Sequence, residues 1–292
     1  MNLVINLNKP HGITSQEAVT DVKKRFKVRK AGHAGTLDPI ATGVLLVCLN
    51  EATKITGFLS DLDKEYLMTA KLGEATDTYD TEGSITKTVT DFEVTREDVE
   101  RAARKFIGDI EQTPPMYSAI KVNGTPLYEL ARKGVVIERK PRSVTISAIE
   151  IVRFESPFLT LKVTCSKGTY IRSLCNDIGD DLGVGAHLVE LIRTRIGAFT
   201  IDNAAAIDEL PQKSSALCSV DDALHHLPEI RLEGDTLRKA KNGNPVIIEP
   251  GRWGIRETEK APFIRLKDPD GKLFGIGKIR NNLIKIERLL KR

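Results

Sequence analysis

The most informative segment of this chain reads Gly32-His33-Ala34-Gly35-Thr36-Leu37-Asp38-Pro39-Ile40-Ala41-Thr42-Gly43. Its glycines allow the backbone to approach a ligand closely, and its proline restricts Asp38 to an extended or turn conformation. The apolar run that follows, Val44–Leu49, is typical of a buried strand, so the segment is predicted to be a loop held by a rigid element. Because such loops often carry catalytic groups, Asp38 is a candidate nucleophile or base. On this segment alone, a simple turn-starting role for Asp38 is the alternative.

The composition limits the class of protein. The 292 residues are enough for one large domain and one small one, and 40% of them are hydrophobic. No apolar run approaches the roughly 18 residues that a membrane span needs, and the N-terminus lacks the features of a signal peptide. The four cysteines are scattered without a Cys-x-x-Cys pair, which predicts reduced thiols in the cytoplasm and argues against disulfides or a zinc site. We therefore expect no membrane association and no bound metal.

Charge is distributed unevenly along the chain. Residues 1–60 carry 8 basic and 4 acidic side chains, residues 61–230 carry 20 and 28, and residues 231–292 carry 16 and 8. Two basic ends are suited to holding a polyanion between them, although a solvated basic surface has the same pattern. The run Lys23–Lys30 also has two interpretations, because cations suit the C-terminus of a helix and can grip a phosphate backbone.

Short strands and helices alternate in irregular order, which predicts an α+β architecture with a mixed, mainly antiparallel sheet flanked by helices. Thr14 with Glu17, and Thr95 with Asp98, have the spacing of helix N-caps. Alternating apolar residues predict strands at Tyr66–Leu72, Val144–Arg153 and Leu159–Cys165, and a helix from about Tyr170 to Leu182.

A boundary is predicted near Leu227-Pro228-Glu229, so that the chain divides into residues 1–229 and 230–292. Beyond it, turns rich in Gly, Pro and Asp separate four short predicted strands, Pro245–Ile248, Phe263–Leu266, Leu273–Ile279 and Leu283–Ile286. A β-rich module of about 60 residues is suited to binding.

Three other segments carry chemically useful groups. Asp63-Lys64-Glu65-Tyr66 places an aromatic hydroxyl at the start of a strand, Gln112–Lys121 is a proline-fixed turn, and Lys167–Arg172 places a guanidinium at the start of a helix. Arg172 is able to pair with Asp38 and keep it ionised, because an opposite charge favours the charged form. Taken one at a time, the aromatic residues could equally be core-edge side chains and Arg172 a surface cation.

In this order, the segments resemble the bacterial tRNA pseudouridine-55 synthases. Five blocks carry the resemblance, namely Lys9-Pro10-x-Gly12-x-Thr14-Ser15, Gly32–Gly43, Gly73-x-x-Thr76-Asp77-Thr78, Gln112–Lys121 and Gly168-Thr169-Tyr170-Ile171-Arg172. The resemblance covers essentially the whole chain. It implies the pseudouridine synthase fold for residues 1–229, with a thumb-like insertion at about 121–142, and an RNA-binding module of the PUA type for residues 230–292.

The resemblance also implies an activity and a role for each matched residue. Uridine in the T-loop of tRNA would be isomerised to pseudouridine without cofactor or metal. Asp38 would be the catalytic aspartate, which either attacks the nucleotide or removes a ribose proton. The residues implied to bind the flipped nucleotide are His33, Tyr66, Tyr170, Arg172 and Leu191. The resemblance also makes the Tyr66 hydroxyl a candidate for removing the C5 proton. Further RNA contacts are expected from Lys9, Lys64, Lys121 and Arg193. Ile192 stands where the family often has a second arginine, so Arg193 is the better candidate for a contact.

Two alternatives fit part of the same sequence. The RNA-guided archaeal and eukaryotic relatives share the Asp38 block and the PUA module, but the excursion at about 121–142 resembles the insertion of the guide-free enzymes. A non-catalytic RNA-binding or RNA-folding protein could retain the scaffold, but Asp38, Tyr66 and Arg172 are all present here. We therefore predict a stand-alone cytoplasmic isomerase that acts on the T-arm of tRNA, with no protein partner implied.

Overall fold

The computed structural model describes residues 1–118, 120–122, 124–247, 263–280 and 282–291. The helices are α1 (Ser15–Arg25), α2 (Thr56–Ser60), α3 (Arg96–Arg104), α4 (Leu127–Arg132), α5 (Ile171–Asp181), α6 (Val220–Ala223) and α7 (Gly234–Lys241). Shorter 3₁₀ segments cover Asn50–Ile55, Ile201–Asn203 and Ser214–Ala216. Within the described ranges, every helix is too short or too polar to cross a membrane.

The strands are β1 (Leu3–Lys9), β2 (Ala31–His33), β3 (Thr42–Leu49), β4 (Lys64–Leu72), β5 (Glu74–Thr76), β6 (Ile85–Thr88), β7 (Gly108–Gln112), β8 (Lys121–Val122), β9 (Thr125–Pro126), β10 (Arg142–Glu155), β11 (Phe158–Cys165), β12 (Ala186–Ile196), β13 (Phe199–Thr200), β14 (Leu217–Ser219), β15 (Glu229–Arg231), β16 (Val246–Ile247), β17 (Phe263–Lys267), β18 (Leu273–Arg280) and β19 (Leu283–Leu289).

The larger sheet joins ten of these strands. Its order is β14-β1-β3-β12-β4-β11-β10-β7, with β2 paired to β3 and β13 paired to β12. All of these pairs are antiparallel except β3 with β12, which run parallel through the pairs Thr42–Ile192 and Gly43–Arg193. The predicted α+β class with a mixed, mainly antiparallel sheet is therefore confirmed.

Both faces of this sheet are covered where β3 crosses it. Leu45 and Val47 belong to an apolar core shared with helices α1, α3 and α5, whereas Val44 and Leu46 belong to a second core shared with the Asn50–Ile55 segment and α6. Side chains alternate between the two faces of a strand, so a strand that is buried on both faces has a continuous apolar sequence. This explains the apolar run after the Asp38 segment.

The predicted helix boundaries follow from local hydrogen bonds. Thr14 accepts a hydrogen bond from Glu17 N at 3.1 Å, and the Glu17 carboxylate accepts one from Thr14 N at 2.7 Å. Thr95 and Asp98 form the same capping box at the start of α3. For α5, the predicted span from about Tyr170 to Leu182 is confirmed, because Tyr170 and Leu182 flank the helix as its caps.

A second sheet follows in the C-terminal part of the chain, with the order β15-β17-β18-β19-β16. Strands β17, β18 and β19 of this sheet contain the predicted strands Phe263–Leu266, Leu273–Ile279 and Leu283–Ile286. Of the predicted strand Pro245–Ile248, β16 covers Val246–Ile247, and Ile248 lies outside the described residues.

The second sheet packs against the first part of the chain. Ile276 of β18 belongs to the same apolar core as Leu46 of β3, and the rings of Phe58 and Phe263 meet edge to face with their centroids 5.0 Å apart. The division of the chain at residues 229–230 stays a prediction.

Between β7 and β10 the chain forms the β8–β9 hairpin, helix α4 and an irregular segment. This is the region of the predicted thumb-like insertion. Asn123 in that region, and Ala119 in the Gln112–Lys121 turn, lie outside the described residues.

Candidate active site

Asp38 lies in the loop between β2 and β3, and neighbouring segments fix this loop in place. Ser15 Oγ, at the start of α1, donates a hydrogen bond to Leu37 O at 2.9 Å and accepts one from Leu37 N at 2.8 Å. On the other side of the aspartate, Gly12 N donates to Pro39 O at 2.9 Å. The side chain of Asp38 is still 37% exposed. Its carboxylate is thus held on a rigid loop and remains accessible.

Gly43, at the end of the loop, is required by packing. Its φ is +96°, and a Cβ there would lie 2.3 Å from the carbonyl oxygen of Arg193 in β12. No other residue allows β3 and β12 to approach this closely in that conformation. This glycine therefore serves the approach of two strands, whereas the sequence suggested the approach of a ligand.

Arg172, in the first turn of α5, pairs with Asp38 as predicted. Its side chain is 5% exposed, and its Nε lies 2.9 Å from Asp38 Oδ2. The Nε–H is not aligned with an acceptor, so this contact is an ion pair without a well-directed hydrogen bond. The remaining nitrogens donate to Thr78 O at 3.2 Å and Tyr117 O at 2.7 Å. The guanidinium is therefore held in place by two backbone carbonyls.

A second carboxylate, that of Asp80, contacts the same guanidinium and was not predicted. Its Oδ2 lies 3.2 Å from Arg172 Nη1, and the side chain is 4% exposed. Its Oδ1 accepts hydrogen bonds from Thr78 Oγ1 at 2.5 Å and from Glu82 N at 3.1 Å. The only signal in the sequence is a threonine two residues before an aspartate, which indicates a local turn but not a contact with residue 172.

A cleft of about 540 Å³ opens beside Asp38. The predicted site residues that line it are Asp38, Lys64, Tyr66, Tyr170, Arg172, Leu191 and Arg193. Lining residues that were not predicted include Ser60, Asp61, Ser118, Arg142 and Ser166. His33, Lys9, Lys121 and Ile192 are not among the residues that line it.

The floor of the cleft is formed by side chains of the central strands. Tyr66 of β4 is 8% exposed and Leu191 of β12 is 5% exposed. Burial raises the pKa of the Tyr66 phenol, and the nearby Arg193 guanidinium opposes this effect. Since an ordinary phenol has a pKa of about 10, the Tyr66 hydroxyl is protonated at neutral pH.

Tyr170 is held at the cleft by the side chain of Gln112. Gln112 is 2% exposed, its Oε1 accepts from Tyr170 N at 2.7 Å, and its Nε2 donates to Tyr170 O at 3.0 Å. Burial raises the pKa of the Tyr170 phenol, and the nearby Ser118 side chain opposes this effect. The glutamine thus fixes the backbone from which Tyr170 and the adjacent α5 enter the site.

Lys9, for which an RNA contact is predicted, is buried in this structure. Its residue surface is fully buried, and its ammonium group donates to the carbonyls of Pro10, Ile13 and Pro39 at 2.8, 2.7 and 3.4 Å. Burial lowers its pKa to about 8. In this structure the ammonium group has no surface to offer a phosphate, and it joins the turn before α1 to the Asp38 loop.

Lys64 and Arg193 line the cleft but bind the protein's own carbonyls. Lys64, 5% exposed, donates to Ser60 O and Leu62 O, each at 2.5 Å, and burial lowers its pKa to about 8. Arg193, 1% exposed, donates to Val44 O at 2.7 Å. Exposure is a property of the fold, so the sequence alone could not separate these residues from surface cations.

The two remaining predicted residues lie apart from the cleft lining. His33 is half-buried in β2, where burial lowers the pKa of its imidazole, so the ring is neutral at neutral pH. Its Nδ1 is buried without a hydrogen-bond partner. Lys121 is exposed in β8. Their predicted contacts with RNA remain predictions.

Two family models match consecutive parts of the chain. Residues 23–171 match the model described as TruB family pseudouridylate synthase (N terminal domain). Residues 172–227 match the model described as tRNA pseudouridylate synthase B C-terminal domain. Together they include all the side chains of the cleft.

Several relatives are similar over nearly the whole chain, and each is named tRNA pseudouridine synthase B. The protein of Clostridium kluyveri is 42% identical, with 99% of both chains covered. That of Dechloromonas aromatica is 44% identical, with 94% of this chain and 90% of the relative covered. That of Haemophilus influenzae is 40% identical, with coverage of 98% and 94%.

Solved structures with a similar fold come from multi-component assemblies. A chain from an H/ACA RNP bound to a substrate RNA containing 2′-deoxyuridine superposes with a TM-score of 0.74 at 25% identity, covering 99% of this chain and 85% of the other. A chain from a Cbf5-Nop10-Gar1 complex gives a TM-score of 0.74 at 28% identity, covering 98% and 84%.

Proposed function

This chain belongs to the TruB family of pseudouridylate synthases, and on that basis we propose that it converts uridine 55 in the T-loop of tRNA to pseudouridine, with Asp38 as the catalytic residue. One observation carries the assignment of the site: the accessible carboxylate of Asp38 lies 2.9 Å from the buried Arg172 guanidinium, beside the aromatic ring of Tyr66. This is the arrangement that the reaction needs, because one carboxylate must stay ionised next to a pocket for a planar base.

The reaction is an isomerisation. The bond between N1 of uracil and C1′ of ribose breaks, the base turns, and a bond forms between C5 and C1′. The C5 proton then leaves and N1 takes up a proton, so no atom or electron is gained or lost overall. Asp38 would act either by attacking the nucleotide or by removing a ribose proton, and both roles use its ionised form.

Arg172 would hold the Asp38 carboxylate at the cleft through the ion pair between Nε and Oδ2 at 2.9 Å. Because the Nε–H is not aligned with a carboxylate oxygen, Asp38 is not locked by that contact and can turn towards the ribose.

The flipped uracil would lie against the walls of the cleft. Tyr66 offers an aromatic face for stacking, which is worth roughly 1–3 kcal/mol per base. Tyr170 and Leu191 would enclose the base from the other sides, and His33 would help to accommodate the nucleotide as it leaves the helix stack. Extrusion costs a few kcal/mol and costs least in a loop, so the T-loop is a suitable target.

The remaining assignments concern the whole substrate. Residues 1–229 would form the catalytic domain, with the insertion at about 121–142 and Lys121 against the T-arm, and residues 230–292 would form the PUA-type RNA-binding module. The protein would work in the cytoplasm and without a guide RNA. Support for the guide-free class comes from identity: tRNA pseudouridine synthase B relatives reach 40–44%, against 25–28% for the chains from guided assemblies.

The test uses the protein alone with an unmodified tRNA transcript that carries tritium at C5 of uridine. We expect tritium release from the wild-type protein. No release is expected from Asp38→Asn, or from a transcript with cytidine at position 55. Binding without release would favour the non-catalytic RNA-binding protein, and release only after addition of a guide RNA would favour the guided class.

A further inference from the structure

Arg193 is a buried arginine whose position in the sheet lies between the two halves of the site. Its strand, β12, lies between β3 and β4. Along β3 it is paired with Gly43, the second residue of the strand that follows the Asp38 loop, and along β4 it is paired directly with Tyr66. One residue of the central strand is thus a neighbour of both the catalytic loop and the aromatic residue of the cleft floor.

The guanidinium of Arg193 is bound to the Asp38 loop. Its Nη2 donates to Gly35 O at 3.1 Å and its Nη1 lies 3.4 Å from Thr36 O, both in the loop, while Nε donates to Val44 O at 2.7 Å. Tyr66 lies directly across from Arg193 on β4, and both side chains line the cleft. The guanidinium is close enough to the Tyr66 phenol to work against the burial that raises its pKa.

The charge of Arg193 has no counter-ion in the described part of the chain. The residue is 1% exposed, and no carboxylate there lies within ion-pair distance of its guanidinium. A buried charge without a partner is costly, and an apolar side chain of similar size would often be more stable. An unpaired cation in such a place acts strongly on any negative charge that develops near it, since there is little water to screen it.

We propose that Arg193 is a positioning residue for the last step of the reaction: it holds the Tyr66 oxygen as a proton acceptor and offsets the negative charge that this oxygen carries while the C5 proton is transferred. The proposal rests on the proposed function. It replaces the RNA contact expected for Arg193, because the residue is 1% exposed and its guanidinium is bound to three carbonyl groups of the protein.

Atoms and electrons balance in this step. The C5 proton passes to the Tyr66 oxygen, and the hydrogen that the phenol carried leaves to water. The electron pair of the C5–H bond forms the C5–C6 double bond, the second pair of the C6–N1 double bond moves to N1, and N1 takes up a proton from water. The negative charge on the phenol oxygen is transient, and Arg193 is the cation beside it. The other titratable groups that act on this phenol are Asp38 and Cys165.

The first test compares Arg193→Gln and Arg193→Lys with a control on the same strand, Arg195→Gln, whose guanidinium contacts Gly197 O and lies outside the cleft. Single-turnover product formation is measured on tRNA with hydrogen or deuterium at C5. We expect Arg193→Gln to slow the reaction on the order of a hundredfold and to increase the deuterium isotope effect. Arg193→Lys, which keeps the charge, should be slowed less, and Arg195→Gln should match the wild type in both respects.

A purely structural role for Arg193 would slow the reaction without changing the isotope effect, and that result would overturn the proposal. A double-mutant cycle with Tyr66→Phe gives an independent check, because the two substitutions should not be additive if Arg193 acts through Tyr66. Additive losses would also overturn the proposal.

A measurement that does not depend on catalysis tests the role of Arg193 separately from the proposed enzyme activity. With 3-fluorotyrosine at position 66, the phenol titrates at lower pH and its ionisation is followed by fluorine NMR in the free protein. We expect the pKa to be higher in Arg193→Gln than in the wild type, and Arg193→Lys to lie between them. An unchanged pKa in Arg193→Gln would overturn the proposal even if the enzyme makes pseudouridine. Absence of tritium release from the wild type would instead overturn the proposed function.

Discussion

Arg172 carries one positive charge between two carboxylates, and the two are held differently. Asp80 is buried and accepts hydrogen bonds from Thr78 and Glu82, so its position is fixed. Asp38 is one-third exposed and has no aligned hydrogen bond from the guanidinium. Asp80 thus orients Arg172, and Arg172 in turn orients Asp38. Of the three side chains, that of Asp38 is the most exposed, and under the proposed function it is the one that meets the substrate.

Asp80→Asn should therefore lower turnover while tRNA affinity is kept. The amide retains the size of the side chain but removes the charge that holds Arg172 from behind. Single-turnover tritium release and tRNA binding measure the two effects. Asp77→Asn is a suitable control in the same loop, because the Asp77 carboxylate accepts only from Ser84 N and does not line the cleft. Equal losses in both variants would mean that the loop is merely disturbed.

Asp38→Asn should abolish turnover and leave tRNA binding intact, because the amide has the shape of the carboxylate without its charge. Arg172→Ala should lower turnover more than Arg172→Lys, since lysine keeps a charge but cannot reach both carboxylates and both carbonyls with one planar group. Tritium release measures both. Activity of Asp38→Asn within about tenfold of the wild type would remove Asp38 from its role.

Tyr66→Phe should bind tRNA nearly as well as the wild type yet form product slowly, whereas Tyr66→Ala should lose both. The ring supplies stacking and only the hydroxyl can relay a proton. Single-turnover kinetics, with melting temperatures measured alongside, separate these effects from loss of stability. Full activity in Tyr66→Phe would leave only the stacking role.

At the scale of single residues, the contacts of a side chain were predictable from the sequence when a nearby motif indicated them. Asp38 and Arg172 were paired in advance because each lies at the tip of a recognisable element with opposite charge. Asp80 was missed because its contact spans residues 80 to 172, and nothing in a polar loop specifies such a partner. The burial of Lys9 could not be predicted, because a lysine is usually exposed and only the fold shows three carbonyls around its ammonium group.

At the scale of elements, α5 is aimed into the site by a side chain from another strand. Gln112, at the end of β7, binds both backbone groups of Tyr170, the residue that precedes the helix. Tyr170 makes no side-chain cap of its own. The glutamine therefore fixes the start of this helix, as the capping residues Thr14 and Thr95 do for α1 and α3.

Gln112→Ala should destabilise the protein by about 1–3 kcal/mol, because it leaves the part-buried backbone N–H and C=O groups of Tyr170 without their Gln112 partners. Turnover should fall as well, since Arg172 follows two residues later. Urea unfolding and tritium release measure the two effects. Gln16→Ala, on the exposed side of α1, is the matched control and should change neither. A silent Gln112→Ala would mean that α5 is positioned by its packing alone.

The positions of the strands in the chain were predicted more completely than their pairing in the sheet. The residues that form one capping box, or one alternating apolar pattern, lie within a few positions of each other in the chain. The helix starts and strands that they form were therefore predictable. The parallel pairing of β3 with β12 joins residues about 150 apart in the chain, and it depends on Gly43 having no Cβ. A glycine in a sequence indicates close approach but not which strand approaches.

At the scale of the whole molecule, the second sheet is attached by an apolar contact and by a cluster of charges. Lys267 of β17 lies 2.7 Å from both Asp221 and Glu229, and Arg265 lies 2.7 Å from Asp221. These four charged side chains are partly buried. They form ion pairs across the predicted boundary at residues 229–230. Removing residues 230–292 would therefore uncover apolar surface and leave acidic groups unpaired, so a deletion is a poor test of RNA binding.

Exposed cations of the second sheet offer a cleaner test. Arg280, Lys285 and Arg288 are exposed on β18 and β19, in the part of the chain with excess positive charge. Replacing all three with Gln should weaken tRNA binding. The slope of log affinity against log salt should also fall by about one for each phosphate that the protein no longer binds. The fold should survive, because these side chains lie outside the apolar core.

The control replaces three exposed cations elsewhere, Arg101, Arg104 and Lys105 near the end of α3, in the acidic middle part of the chain. Binding is measured at several salt concentrations in the Asp38→Asn background, so that turnover does not alter the substrate. Because α3 packs on the face of the sheet opposite to the core that includes β18, its cations should not meet the same RNA. A slope that is unchanged in the β18–β19 variant, or reduced equally in both, would contradict a phosphate grip on the second sheet.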